Sequence, residues 1–204
     1  MAASALLLID IQNDFCPGGA LAVGEGDAVV PIANEIQKYF DISVLTQDWH
    51  PSDHSSFADN HKSASPFSMI DMPYGPQVLW PRHCVIGSDG AAFHKDLKTD
   101  TADLIVRKGF RPSIDSYSAF FENDKSTQTG LAGYLRERDV GHVYLVGLAT
   151  DFCVCYSALD AVKQGFHATV VSDGCRAIDL DGSLDKAMTD MAKAGVMFTT
   201  SSEL

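Results

Sequence analysis

Residues 143–171 read VYLVGLATDFCVCYSALDAVKQGFHATVV. Val143 to Val146 is a short apolar run of β type, Val154 to Lys163 carries an amphipathic helical pattern that stops at Gly165, and Ala168 to Val171 is a second β run. Between the first strand and the helix lies the corner Gly147-Leu148-Ala149-Thr150-Asp151-Phe152-Cys153. A cysteine there sits where the helix dipole and free backbone N–H groups favour negative charge. That setting is expected to lower the thiol pKa and make the thiolate a nucleophile. The competing reading is a buried structural cysteine.

The same alternation runs outward in both directions. Ala5 to Ile9, Ile42 to Thr46, Leu104 to Val106 and Val196 to Thr199 read as further strands. Ile32 to Phe40 (after Pro31), Gln128 to Arg138 and Leu184 to Ala194 read as helices, the last stopped by Gly195. Near-continuous apolar strands alternating with helices predict an α/β fold: a mostly parallel six-stranded sheet with helices on both faces. Ligands of such sheets collect at the carboxyl ends of the strands, near a topological switch point. Residues 47 to 100 break the pattern, being rich in Pro, His, Ser and Asp and without a strong period. Trp49, Phe57 and Trp80 within them argue for an ordered functional loop. With no repeat, linker or low-complexity segment, residues 1–204 are expected to form a single domain with that loop as an excursion.

Composition narrows the function. Fifteen Lys and Arg against 27 Asp and Glu give a net charge of −12. An acidic chain without a basic stripe is expected to bind neither nucleic acid nor an anionic membrane, and suits a small-molecule ligand. Met1 to Ala5 carries no basic segment and Leu6 to Ile9 is too short for a signal or a membrane span, so a cytoplasmic location is expected. Five widely spaced cysteines (16, 84, 153, 155 and 175) read as free thiols.

Three polar residues stand at strand ends. Asp10 closes the first apolar run, Lys108 follows Ile105-Val106-Arg107, and Cys153 lies past Val146. If those three strands are neighbours, the groups converge on one crevice. The carboxylate would then take the thiol proton, and the ammonium would hold the carboxylate ionised and stabilise the thiolate. A second constellation joins Asp48 and His50 to His83, an O/N/N set that suits Zn²⁺, Fe²⁺ or Mn²⁺ with positions left open, Zn²⁺ being favoured. His54 reads either as a further ligand or as a group orienting a bound water.

Five phrases connect these residues to a known family: Ile9-Asp10-Ile11-Gln12-Asn13-Asp14-Phe15, Thr46-Gln47-Asp48-Trp49-His50-Pro51, Trp80-Pro81-Arg82-His83-Cys84-Val85, Arg107-Lys108-Gly109 and the Gly147 to Cys153 corner. In this order, over almost the whole chain, they resemble the nicotinamidase/pyrazinamidase group of the isochorismatase-like cysteine hydrolases. Asp115-Ser116-Tyr117-Ser118-Ala119-Phe120-Phe121 fits the bacterial members as well. The resemblance implies an isochorismatase-like hydrolase fold, a triad of Asp10, Lys108 and Cys153, and one divalent metal ion held by Asp48, His50 and His83. It further implies hydrolysis of nicotinamide to nicotinate and ammonia, and of pyrazinamide, through a Cys153 thioester, in NAD salvage. The N–H groups of Ala149 and Cys153 are the expected oxyanion donors, with a cis Leu148–Ala149 peptide. Phe15, Leu21, Trp80 and Tyr117 are the expected walls around the pyridine ring.

One departure is Phe152, where some members carry His or Tyr, and it bears on substrate preference or rate. Two other readings compete. A metal-independent isochorismatase leaves the Asp48/His50/His83 set without purpose. A metal-storing or redox-sensing protein leaves Lys108 and the Cys153 corner without one.

Overall fold

The computed structural model describes residues 3–204; Met1 and Ala2 of the N-terminus read above lie outside them. Along the chain come β1 (Ala3–Ile9), α1 (Val29–Ile36), β2 (Ile42–Asp48), β3 (Met69–Met72), β4 (Gly75–Val78) and β5 (Leu104–Lys108). Then follow α2 (Leu131–Arg136), β6 (Val140–Leu148), α3 (Cys155–Lys163), β7 (His167–Arg176), α4 (Ser183–Ala194) and β8 (Met197–Thr199). Six strands pair in parallel in the order β5-β2-β1-β6-β7-β8.

The central strands are apolar for most of their length because both sheet faces are covered. Leu6, Leu7, Ile9, Val44, Leu45, Leu145 and Val146 are all buried. Right-handed crossovers send the chain leftward from β1 to β2 and rightward from β6 to β8, which puts α1 on one face and α2, α3 and α4 on the other. In keeping with this, α3 packs on α4, and Arg136 at the end of α2 donates to Gln164 O just beyond α3 at 2.8 Å. No helix of the described residues is long and apolar enough to cross a membrane.

The order of strands reverses between β1 and β6, so the switch point falls where Asp10 and the Cys153 corner leave the sheet. Gly147 makes this possible. With φ +120 it sits where an added Cβ would lie 2.1 Å from Ile9 O, so the two strand ends touch backbone to backbone.

Several boundaries differ from the sequence reading. The first helix begins before Pro31, which falls in its opening turn where a missing N–H costs nothing, and its tail tightens into a 3₁₀ turn at Gln37–Tyr39. The second helix is confined to Leu131–Arg136, after Gly130 at φ 97. The excursion over residues 47–100 is not wholly irregular, because β3 and β4 form an antiparallel hairpin within it. Phe57 and Trp80 are buried and pair as an isolated bridge, which orders the rest.

The contact at Gly147 yields a test. Gly147→Ala should lower unfolding free energy by about 3 kcal/mol or more, through backbone collision added to an unfavourable φ. Gly165→Ala, also at positive φ but facing open space, should cost about 1–2 kcal/mol. Equal shifts in urea midpoint for the two variants would contradict the close approach of β1 and β6.

Candidate active site

The chain turns off β1 at Asp10, whose φ of 48 aims its carboxylate across the strand ends. One hydroxyl holds it: Thr46 Oγ1, on neighbouring β2, accepts from Asp10 N at 3.1 Å and donates to Asp10 Oδ1 at 2.6 Å. Lys108 reaches the same spot from β5. Its Nζ lies 2.8 Å from Asp10 Oδ2, donates to Asp48 Oδ1 and to Ser116 O (2.8 Å), and lies 3.6 Å from Cys153 Sγ. Asp10 and Lys108 are both fully buried. Asp10 Oδ2 makes no hydrogen bond of good geometry within the protein, so it is the oxygen left for the thiol proton.

Burial sets the protonation states. Desolvation raises the Asp10 carboxyl to about 6 despite the attraction of Lys108. Desolvation likewise pushes the Cys153 thiol well above its ordinary value, with Lys108 opposing. Lys108 itself, though penalised by burial, is held charged by Asp10 and Asp48. The resting cluster therefore holds a thiol beside a carboxylate of intermediate basicity, with a fixed cation touching both.

Asp48 ends β2, and the side chain of Gln12 acts as its missing strand partner: Gln12 Oε1 accepts from Asp48 N at 2.8 Å and Gln12 Nε2 donates to Asp48 O at 2.9 Å. The ligand atoms of Asp48, His50 and His83 lie within 4.8 Å of one another. His50 Nδ1 donates to Gly109 O at 2.8 Å and His83 Nδ1 to Pro81 O at 2.7 Å. With each Nδ1 donating, Nε2 is the nitrogen turned towards Asp48 Oδ2, at 3.6 and 4.0 Å, and Asp48 raises His50 above its ordinary value despite burial, so a bound ion would displace that proton. Gly109 must be glycine here, because a Cβ would meet the His50 ring at 2.4 Å.

Burial, reinforced by the charge of His50, takes His83 down to about 4, which leaves a neutral imidazole. Asp48, despite desolvation, is held well below the usual carboxylate range by Lys108 and His50. Two imidazole Nε2 atoms and an ionised carboxylate at this spacing fit a divalent cation of the Zn²⁺, Fe²⁺ or Mn²⁺ type. His54 lies against His50, ring centroids 4.3 Å apart, yet both its nitrogens are engaged. Nε2 faces Ile114 O at 3.2 Å and Nδ1 pairs with Ser56 Oγ at 2.7 Å, although ligand atoms of His50, His54 and Asp115 also lie within 4.8 Å of one another.

Between these clusters opens a small, tight cleft. Phe15, Leu21, Trp80 and Tyr117 line it, together with Asp48, His83, Ala149 and Cys153. Trp80 Nε1 donates to Tyr117 Oη at 3.1 Å, and Phe152 stands edge-on to Trp80 with centroids 4.9 Å apart. The Leu148–Ala149 peptide is cis. Asp14 sets two of the walls: its Oδ2 accepts from Cys84 N at 2.7 Å, fixing the turn after His83, and its Oδ1 accepts from Ala20 N at 3.1 Å, beside Leu21.

The isochorismatase domain model matches residues 4–203. The chain belongs to the isochorismatase family. It is 54% identical to a nicotinamidase of Acinetobacter baylyi over 94% of this chain and 90% of that one. Its fold superposes with TM-score 0.98 on the solved structure of a nicotinamidase/pyrazinamidase of Acinetobacter baumanii, 53% identical, covering 100% of this chain and 98% of that one. A pyrazinamidase of Pyrococcus horikoshii solved in complex with zinc is 35% identical, with TM-score 0.77 and coverage of 97% and 99%.

Two expectations about this family site need correction. The strand bearing Lys108 does not adjoin the one bearing Asp10. It lies beyond β2, and the lysine's length bridges the gap. Nor does the corner lower the thiol pKa. Cys153 sits inside a π-helical turn, Thr150–Val154, ahead of α3, and its exclusion from water raises the thiol against the opposing charge of Lys108. The sequence assigned no role to Asp115 or Ile178, whereas Phe152, flagged there as bearing on substrate preference or rate, does line the cleft. Asp115 stood two positions before Tyr117, a usable signal, whereas Ile178 lies in a loop with none.

The hydrogen bonds of His50, His54 and His83 predict the ligand count. Protein stripped with a chelator should bind one equivalent of Zn²⁺ in a calorimetric titration. His83→Ala should abolish that binding or weaken it by far more than about tenfold, and His54→Ala should keep the stoichiometry with a loss of about tenfold. Equal damage from the two substitutions would make His54 a ligand.

Proposed function

We propose that this protein is a nicotinamidase that also accepts pyrazinamide, working as one domain in the cytoplasm on a free small molecule in NAD salvage. The observation that carries the reading is the single cleft joining a buried Asp10–Lys108–Cys153 cluster to an Asp48/His50/His83 ligand set. Its relatives' activities support the substrate class. Five free, buried cysteines agree with a reducing compartment.

The chemistry follows from which groups hold protons. Asp10 Oδ2 takes the proton of Cys153 Sγ as sulfur bonds to the carboxamide carbon, and the C=O electron pair moves onto oxygen. The backbone N–H groups of Ala149 and Cys153 receive that oxyanion, and Lys108 offsets the charge passing between sulfur and carboxyl. As the C–N bond breaks, Asp10 returns its proton to the leaving nitrogen and ammonia departs. Water then adds to the thioester while Asp10 accepts one of its protons. Collapse releases nicotinate and reprotonates the thiolate from Asp10.

Asp48, His50 and His83 would hold one divalent ion, zinc by preference, supplying an electron-pair acceptor for the ring nitrogen directly or through water. The zinc-bound relative supports that preference. The ring is thereby oriented, and Phe15, Leu21, Trp80 and Tyr117 exclude water around it, so the carboxamide reaches the thiol in attacking geometry. His54 packs against the His50 ring and supports its orientation. A metal-independent isochorismatase is disfavoured, since the Asp48/His50/His83 set would then have no task.

With metal supplied, the protein should release ammonia from nicotinamide in a coupled assay. Cys153→Ala should abolish release, and Asp10→Asn should lower kcat by about 10²–10⁴-fold, the usual worth of a general base. An unchanged rate for Cys153→Ala would remove the sulfur from the mechanism.

A further inference from the structure

Asp151, two residues before Cys153, is buried, and the mechanism above leaves it without a task. Its carboxylate does not face the cleft. Oδ1 accepts from Ile178 N at 3.0 Å, and Oδ2 accepts from Asp179 N at 2.8 Å and from Ser183 Oγ. All three donors belong to the segment that leaves β7 and enters α4. That segment has little else to hold its shape: Asp179, Asp181 and Gly182 have φ of 54, 51 and 82, three left-handed positions within four residues. Its other hydrogen bonds are short-range, among them Leu180 N to Ser183 Oγ at 2.8 Å, Ser183 N to Leu180 O at 3.0 Å and Leu184 N to Asp179 Oδ1 at 3.3 Å. Ile178, the residue this carboxylate clamps, is a wall of the same cleft as Cys153, Ala149 and Leu21.

We infer that Asp151 is a positioning residue that ties the turn bearing the nucleophile to the Ala177–Gly182 loop, fixing Ile178 as the wall that limits the ring size the cleft accepts. Hydrogen bonds to a charged acceptor are the strong kind, and a carboxylate taking three from one loop holds it far more firmly than the loop's own contacts. Because Asp151 lies in the π-helical turn with Cys153, the wall and the sulfur are set by one rigid piece of backbone. This inference rests on the nicotinamide reading for its substrate, but not for the clamp itself.

Two readouts separate those parts. Amide hydrogen exchange, followed on the metal-loaded protein without substrate, should show Ile178 and Asp179 protected in the wild type. Both should exchange at least about tenfold faster in Asp151→Asn, and less so in Ser183→Ala, which leaves the charge and two of its donors in place. Steady-state kinetics with nicotinamide and 5-methylnicotinamide should show Ile178→Ala shifting the kcat/KM ratio towards the bulkier amide by about tenfold or more. Asp151→Asn should shift the ratio the same way, mainly through KM, and the double variant should add little to the larger single effect. If Asp151→Asn folds poorly, Ser183→Ala carries both comparisons at reduced amplitude.

Unchanged exchange at Ile178 and Asp179 in the Asp151 and Ser183 variants would overturn the clamp. A lowered Tm with the substrate ratio unmoved would reduce Asp151 to a fold-stabilising residue and overturn its role in specificity. Wild-type protein that releases ammonia from neither amide would instead overturn the nicotinamidase reading, and the exchange data would still decide the clamp.

Discussion

The ammonium of Lys108 is the constraint on which the site depends. It is fully buried between Asp10 and Asp48, with Cys153 sulfur at 3.6 Å and Ser116 O accepting at 2.8 Å. Two carboxylates and one cation, all cut off from water, form a cluster in which removing any member strands a charge. The same lysine gives the carboxylates opposite characters. Asp10, whose desolvation exceeds the help it receives, rises to about 6 and keeps basicity for a proton. Asp48, backed by His50 as well, falls below the usual range despite its burial and stays an anion fit for a cation. Environments that push two like groups apart separate a proton carrier from a ligand.

Strand order explains why these groups meet. The reversal between β1 and β6 leaves a crevice at their carboxyl ends, and Asp10 and the Cys153 turn are the first residues beyond them. Asp48 and Lys108 are the last residues of β2 and β5, paired in register. The excursion after β2 then folds back, with Cys84 O accepting from His50 N at 3.0 Å and His50 O from Ile86 N at 2.9 Å, which brings His83 beside His50. The sheet supplies the reacting groups, and the segments after β1, β2, β5 and β7 supply Phe15 and Leu21, Trp80, Tyr117 and Ile178 of the cleft wall. Fixed distances between them are what an orientation mechanism requires.

Much of this was legible in the chain. Strands buried on both faces leave apolar runs, so all six sheet strands could be read from residues such as Leu6 to Ile9 and Val143 to Val146. The hairpin β3–β4 could not, because its strands alternate only weakly between exposed and half-buried positions and Pro76 lies within it. Asp10, Lys108 and Cys153 stood out as polar residues at strand ends, but the bridging of β2 by Lys108 depends on strand order, which no local pattern encodes. His54 stayed ambiguous because its status turns on two hydrogen-bond partners, Ser56 and Ile114, one of them sixty residues away. Ile178 was invisible for a related reason: an isoleucine in an irregular loop becomes a cleft wall only through contacts with residues distant in sequence.

The account stands or falls on whether the buried sulfur bonds to the substrate's carbonyl carbon. The direct measurement is mass spectrometry of metal-loaded enzyme quenched with acid during turnover of nicotinamide, followed by peptide mapping. The account predicts a nicotinoyl group attached to the peptide containing Cys153, and to none containing Cys16, Cys84 or Cys175. Undiminished turnover by Cys153→Ala, or an adduct on a peptide bearing another cysteine, would contradict it.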